Sequence, residues 1–122
     1  MTKDEKDRLP YEIVYLAPAQ RDLQRLMDFL TTNEVSPVCA QEIILEIVEK
    51  IRVLRENPLL GFSFGGKYGF TTPYRGILCG KYVAVYEPIE ASDDKHDDKG
   101  GRIEIRRIYH EREDYLTQLR QR

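Results

Sequence analysis

His110, Arg112 and Tyr115 stand at short intervals after the last strand-like run of the chain, within Tyr109-His110-Glu111-Arg112-Glu113-Asp114-Tyr115. An imidazole titrates near neutrality and can exchange a proton with a ribose hydroxyl or a departing oxygen. A guanidinium beside it can stabilise charge that develops on a phosphate in flight. Metal-free RNA cleavage needs such a set: an acceptor for the 2′-hydroxyl, a donor for the leaving oxygen and a cation between them. The same residues have a structural reading, with His110 capping the strand end, Arg112 paired with Asp114 or Glu87, and Tyr115 anchoring the tail. Residue types leave both readings open.

A second set is basic. Residues 57–86 carry Lys67, Arg75 and Lys81 and no acid, and Arg106 and Arg107 lie on the last strand-like run. Neighbouring strands bring same-face side chains within about 5 Å, so these cations could form a cluster that clamps phosphate. Net charge is −2, but docking of an anion depends on the local field rather than the sum. Alternate strand residues that face solvent and happen to be basic would leave the same pattern.

Other chemistries find less support. Gly61, Gly65, Gly66 and Gly69 lack the strand–glycine–lysine–helix context of a phosphate loop. Neither His96 nor His110 has a partner at metal-ligand spacing, and Asp93, Asp94, Asp97 and Asp98 read as a solvated loop. No serine or cysteine has a base near it in sequence. No metal and no cofactor are expected.

The elements that would position these residues follow from periodicity and punctuation. Residues 1–10 read as a mobile, charged lead-in, and residues 11–122 as a single domain. Tyr11 to Leu16 is rich in β-branched and aromatic residues and predicts a strand. Pro18 suits a first helical turn, and Leu23, Leu26, Met27 and Leu30 share one helical face. Ser36-Pro37 predicts a second helix start, with Ala40, Ile43, Ile44, Ile47, Val48, Ile51 and Leu54 in period until Asn57-Pro58. Pro58 to Pro73 reads as a loop packed by its aromatics. Tyr74 to Cys79 and Tyr82 to Tyr86 predict strands joined at Gly80-Lys81, and 91–101 an exposed polar loop. Ile103 to Tyr109 predicts the last strand, followed by a short helix with Tyr115, Leu116 and Leu119 as its contacts. The predicted architecture is α+β in two layers: an N-terminal strand, a helical hairpin, a three-stranded antiparallel meander and a short C-terminal helix.

The 122 residues are 41% hydrophobic and 33% charged, too apolar for a disordered chain. No apolar run approaches the roughly 20 residues of a membrane span, and the charged N-terminus lacks the apolar stretch of a signal peptide. Cys39 and Cys79 have neither metal-ligand spacing nor a disulfide framework, and read as small buried hydrophobes. A soluble, cytoplasmic protein with no membrane partner is expected.

Over roughly residues 11–117 the layout resembles the RelE/ParE superfamily of bacterial toxins. The landmarks are Tyr11-Glu12-Ile13 with Ala19 and Asp22-Leu23, then Asn57-Pro58-Leu59-Leu60-Gly61, Tyr74-Arg75 and Gly80-Lys81-Tyr82-Val83-Ala84-Val85-Tyr86. Ile105-Arg106-Arg107-Ile108-Tyr109-His110-Glu111-Arg112-Glu113-Asp114-Tyr115 closes the pattern. The resemblance implies the toxin of a type II toxin–antitoxin pair, held inactive by a cognate antitoxin, usually through a helix in the groove between sheet and helical hairpin. One branch cleaves messenger RNA on the ribosome, and the other inhibits DNA gyrase without catalysis. A degenerate antitoxin-binding module is a third possibility.

Ribosome-dependent mRNA cleavage is the working expectation. On that expectation His110 is general acid or base, Arg75 and Arg112 stabilise phosphate, and Tyr115 stacks on a base or transfers a proton. Lys67, Lys81, Arg106 and Arg107 then hold RNA. Arg75 matches the basic residue after the tyrosine that opens the second strand, and Arg112 an arginine just beyond the last strand. Tyr115 matches a C-terminal tyrosine approximately. Ile77 and Val83 stand where the nucleases have further cations.

Overall fold

The Ser36-Pro37 pair starts a helix as its chemistry dictates: the Ser36 hydroxyl accepts from the Cys39 backbone N–H at 3.2 Å, and Pro37 opens the first turn. The computed structural model describes residues 10–69, 71–91 and 100–120. Most of the lead-in and residues 92–99 of the polar loop lie outside that range. In chain order the elements are β1 (Glu12–Tyr15), α1 (Ala17–Thr32), α2 (Pro37–Arg52) with a 3-10 turn (Val53–Arg55), β2 (Phe62–Ser63) and α3 (Phe64–Tyr68). β3 (Arg75–Cys79), β4 (Tyr82–Glu90), β5 (Gly101–His110) and α4 (Tyr115–Arg120) complete it.

The strands form one sheet in the order β1-β5-β4-β3-β2. β3, β4 and β5 are the expected antiparallel meander, with Gly80 turning at φ 63° between β3 and β4. β1 joins the far side of β5 in parallel, Ile13 opposite Ile103 and Tyr15 opposite Ile105. A parallel neighbour needs a long crossover, which here is the rest of the domain.

The α1–α2 hairpin covers one face of the sheet. Ala19, Ile47, Ile51 and Leu54 pack there on Ile77, Ala84, Tyr86, Ile103, Ile105 and Ile108. The expectation of two layers needs an addition on the other face, where Phe64 and Leu119 pack on Val83, Val85 and Tyr109. β4 is therefore covered on both sides over Val83 to Tyr86, which explains its uninterrupted apolar run.

The segment from Pro58 to Pro73 is likewise more ordered than a loop. β2 pairs with β3, Phe62 opposite Gly76, and Ser63 caps α3 by accepting from Gly66 N–H at 3.2 Å. Phe62 and Phe64 meet edge to face at 4.9 Å between ring centroids. Cys79 is buried as expected, but Cys39 is exposed. It lies one residue before Ala40, off the buried stripe of Ala40, Ile47 and Ile51.

Candidate functional site

β4 begins at Tyr82 and β5 ends at His110, and the two are register partners. Their rings meet edge to face, 5.3 Å between centroids at 89°. Glu111 N–H donates to Lys81 carbonyl at 2.7 Å, so the ladder runs one residue past the strand. The chain then folds back on itself. His110 N–H donates to Glu113 Oε1 at 3.0 Å, Glu113 N–H to the His110 carbonyl at 3.0 Å, and Arg112 N–H to His110 Nδ1 at 3.1 Å.

The last contact sets the chemistry of the imidazole. Nδ1 is an acceptor, so the neutral ring carries its proton on Nε2. In that form Nε2 can donate a hydrogen bond and cannot take a proton. Asp114 closes the motif by accepting from Thr117 N–H at 3.4 Å and Thr117 hydroxyl at 2.8 Å across the first turn of α4.

Of the expected catalytic residues, His110 and Arg112 are therefore neighbours. Arg112 is exposed, and its guanidinium makes no ion pair with a described residue. Arg75 is elsewhere. It lies opposite Tyr86, whereas His110 lies opposite Tyr82, a separation of about 13 Å at the rise of an antiparallel strand. Its guanidinium donates to the carbonyls of Leu59 at 3.1 Å and Gly61 at 2.6 Å. Tyr115 stacks on Tyr109 with centroids 5.4 Å apart and meets Phe64 edge to face at 6.1 Å. Burial, with Tyr68 beside it, raises the Tyr115 hydroxyl above its ordinary value, the opposite of what eases proton transfer.

The expected RNA-holding cations are mostly engaged. A bulge between Val85 and Tyr86 places Val85 opposite Arg107 and Tyr86 opposite Ile105, leaving Arg106 as the extra residue. Arg106 bonds Glu87 at 2.8 Å and Glu104 at 3.0 Å, with Tyr74 5.5 Å below its guanidinium. Arg107 grips Asp22 on α1 at 2.7 and 3.0 Å. That bond holds the Arg107 guanidinium above its ordinary value, against the opposing effect of burial. The Lys67 ammonium sits 4.5 Å from the centre of the Phe62 ring. Lys81 is exposed in the β3–β4 turn.

α1 contributes what the sequence reading missed. A cavity of about 350 Å³ beside His110 and Tyr82 is walled by Asp22, Arg25, Leu26 and Phe29 of α1. Asp22-Leu23 was legible as a landmark, but its partner lies 85 positions away, and nothing in local spacing marks such a pair. A larger groove of about 1010 Å³ lies between β1 and the helical hairpin, over Ile13, Leu23, Met27, Ile44 and Val48. Among the described residues no cluster of histidine, cysteine, aspartate or glutamate is placed to hold a metal ion, and no helix is long and apolar enough to cross a membrane.

No curated protein matches the chain. Among solved structures it is similar to a chain of the chromosomal ParDE toxin–antitoxin system from P. aeruginosa, at 19% identity and a TM-score of 0.60 over 82% of this chain and 95% of that one. It is also similar to a chain of the toxin–antitoxin complex RelBE2 from Mycobacterium tuberculosis, at 22% identity and a TM-score of 0.53 over 84% and 99%. These likenesses establish the RelE/ParE-like fold. Residues 13–115 match the family described as the ParE toxin of the type II toxin–antitoxin system parDE. The chain belongs to this family of toxins.

Proposed function

We infer that this toxin arrests growth by binding DNA gyrase rather than by cutting RNA, and that a cognate antitoxin neutralises it. The observation that carries the reading is the engagement of its cations. Arg75 is bound to backbone carbonyls about one strand length from His110, and Arg106 and Arg107 are paired with carboxylates. A nuclease of the expected kind needs those charges on a phosphate. His110, held as an Nε2–H donor, suits recognition without proton abstraction.

The antitoxin is assigned to the groove beside β1. Its floor is apolar, its rim carries Gln20, Gln24 and Gln41 with one acid, Glu12, and Leu45 lies 56% exposed along it. That arrangement suits the apolar face of an amphipathic helix.

A second reading, ribosome-dependent mRNA cleavage, is favoured by one observation: His110 shares a turn with Arg112, whose guanidinium makes no ion pair among the described residues. There His110 would exchange the proton as general acid or base, with Arg112 on the phosphate and Lys81 on RNA. Inducing the chain without antitoxin and mapping mRNA 5′ ends separates the two. Intact mRNA with a rising DNA-damage response supports gyrase. New 5′ ends inside translated frames, lost when translation is blocked, contradict it.

A further inference from the structure

The cavity beside His110 has an imbalance between its donors and its acceptors. Of its two carboxylates, Asp22 is engaged through both oxygens and Glu113 through one, Oε1. Asp22 takes both arms of Arg107 and also the Ile108 N–H at 2.8 Å, and Glu113 takes the His110 N–H. Three donors lining the same space have no acceptor among the described residues: the Arg25 guanidinium, the Tyr82 hydroxyl and His110 Nε2–H. The rest of the wall includes apolar Leu26 and Phe29, the latter 61% exposed.

We propose that this cavity is a docking site for one acidic side chain, with an apolar neighbour, on the protein the toxin inhibits. The identity of that protein as gyrase rests on the reading above, while the chemistry of the site does not. Arg25 is exposed and Tyr82 and His110 are half-buried, so these donors face water in the free protein and can exchange it for an acceptor on a partner. A carboxylate between a guanidinium, a phenol and an imidazole N–H receives charge-assisted hydrogen bonds from each. Phe29 and Leu26 supply the apolar surface that a neighbouring aliphatic or aromatic side chain would cover.

The charge count argues against a nucleic-acid backbone as the ligand. Among the lining residues the formal charges of Arg107 and Asp22 cancel, as do those of Arg25 and Glu113. A string of phosphates would face two fixed carboxylates with no surplus of cations to offset them. The volume, about 350 Å³, is at the lower end for ligand pockets, which run from roughly 300 to 1,000 Å³. It admits a side chain or two and no more. The sequence reading assigned His110 to proton transfer; here it is one of three donors, and the other two come from α1 and from the start of β4.

The test is a titration of the ¹⁵N-labelled chain with N-acetyl-aspartyl-leucinamide, beside the asparaginyl analogue and a short single-stranded RNA. The expected result is saturable shifts of the Ile108 and Arg112 amides in the millimolar range, at least about tenfold weaker for the asparaginyl peptide. Arg25→Gln and Tyr82→Phe, both on accessible side chains, should each weaken the acidic peptide at least about threefold while leaving the rest of the spectrum in place. Equal response to both peptides, no response by about 20 mM, or a stronger response of the same amides to RNA would overturn the site. Gyrase inhibition with no titration removes the site and keeps the functional reading. A clean titration with gyrase untouched keeps the site and removes gyrase as its partner.

Discussion

Asp22 on α1 and Arg107 on β5 meet through two hydrogen bonds of 2.7 and 3.0 Å, tying the helical layer to the strand that ends at His110. Their side chains are only 8% and 18% exposed, and Asp22 also takes the Ile108 N–H. The pair thus ties α1 to β5 three residues before His110 and engages the Arg107 guanidinium inside the protein.

Breaking that pair from one side should cost more than deleting it. Asp22→Ala leaves Arg107 and the Ile108 N–H without acceptors, a loss of about 2–4 kcal/mol after allowing for partial exposure. Asp22→Ala with Arg107→Met should recover at least part of it. Urea unfolding of the two variants measures both, and equal losses would show that the pair contributes only packing.

Arg75 is expected to be a stability residue. With Tyr86, whose hydroxyl donates to the Pro58 carbonyl at 2.9 Å and accepts from Gly61 N–H at 3.0 Å, it holds the turn of residues 58–61. Gly61 permits the approach, because a Cβ there would lie 2.3 Å from the Gly76 carbonyl oxygen. Arg75→Gln and Tyr86→Phe should each cost about 1–3 kcal/mol. Both should speed exchange of the Gly61 amide, yet arrest growth at a permissive temperature. Loss of toxicity by Arg75→Gln in a fully folded chain would restore it to the functional site.

Alkaline pH should destabilise the fold. Burial raises the Cys79 thiol from 9.0 to about 11 and the Tyr15 hydroxyl from 10.0 to about 12. Groups whose folded values exceed their unfolded ones hold their full contribution below the unfolded value and lose it as pH climbs to the folded one. Stability should therefore fall between about pH 9 and 12, and Cys79→Ala should flatten the lower part of that fall. In the native state a thiol reagent should label Cys39 promptly and Cys79 only on unfolding, in line with their exposure.

His110 should populate the Nε2–H form when neutral. Long-range ¹H–¹⁵N spectra read the tautomer directly, and a proton on Nδ1 would contradict the contact from Arg112 N–H. Asn in place of His110 should disturb the 110–113 turn less than Ala, because its side-chain oxygen can take over the acceptor role of Nδ1.

What was legible in the sequence was what local chemistry decides. Ser36-Pro37 started α2, Gly80 turned β3 into β4, and the apolar run of β4 announced a strand. The parallel pairing of β1 with β5 was not legible, since neither strand's pattern names its neighbour. The second core under Phe64 and Leu119 was hidden in a stretch without period. In the candidate site the turn from His110 to Asp114 could be read as a unit. The fates of Arg75, Arg106 and Arg107 could not, because Gly61, Glu87 and Asp22 lie 14, 19 and 85 positions from them. A basic strand face on paper became a set of internal ties in three dimensions.

The most direct test of the central claim is a DNA supercoiling assay with purified gyrase and the purified toxin, with and without Arg25→Gln. Dose-dependent loss of supercoiling by the wild-type chain, weakened by the substitution, is the predicted result. Undiminished supercoiling, with the same preparation cutting mRNA on translating ribosomes, would contradict it.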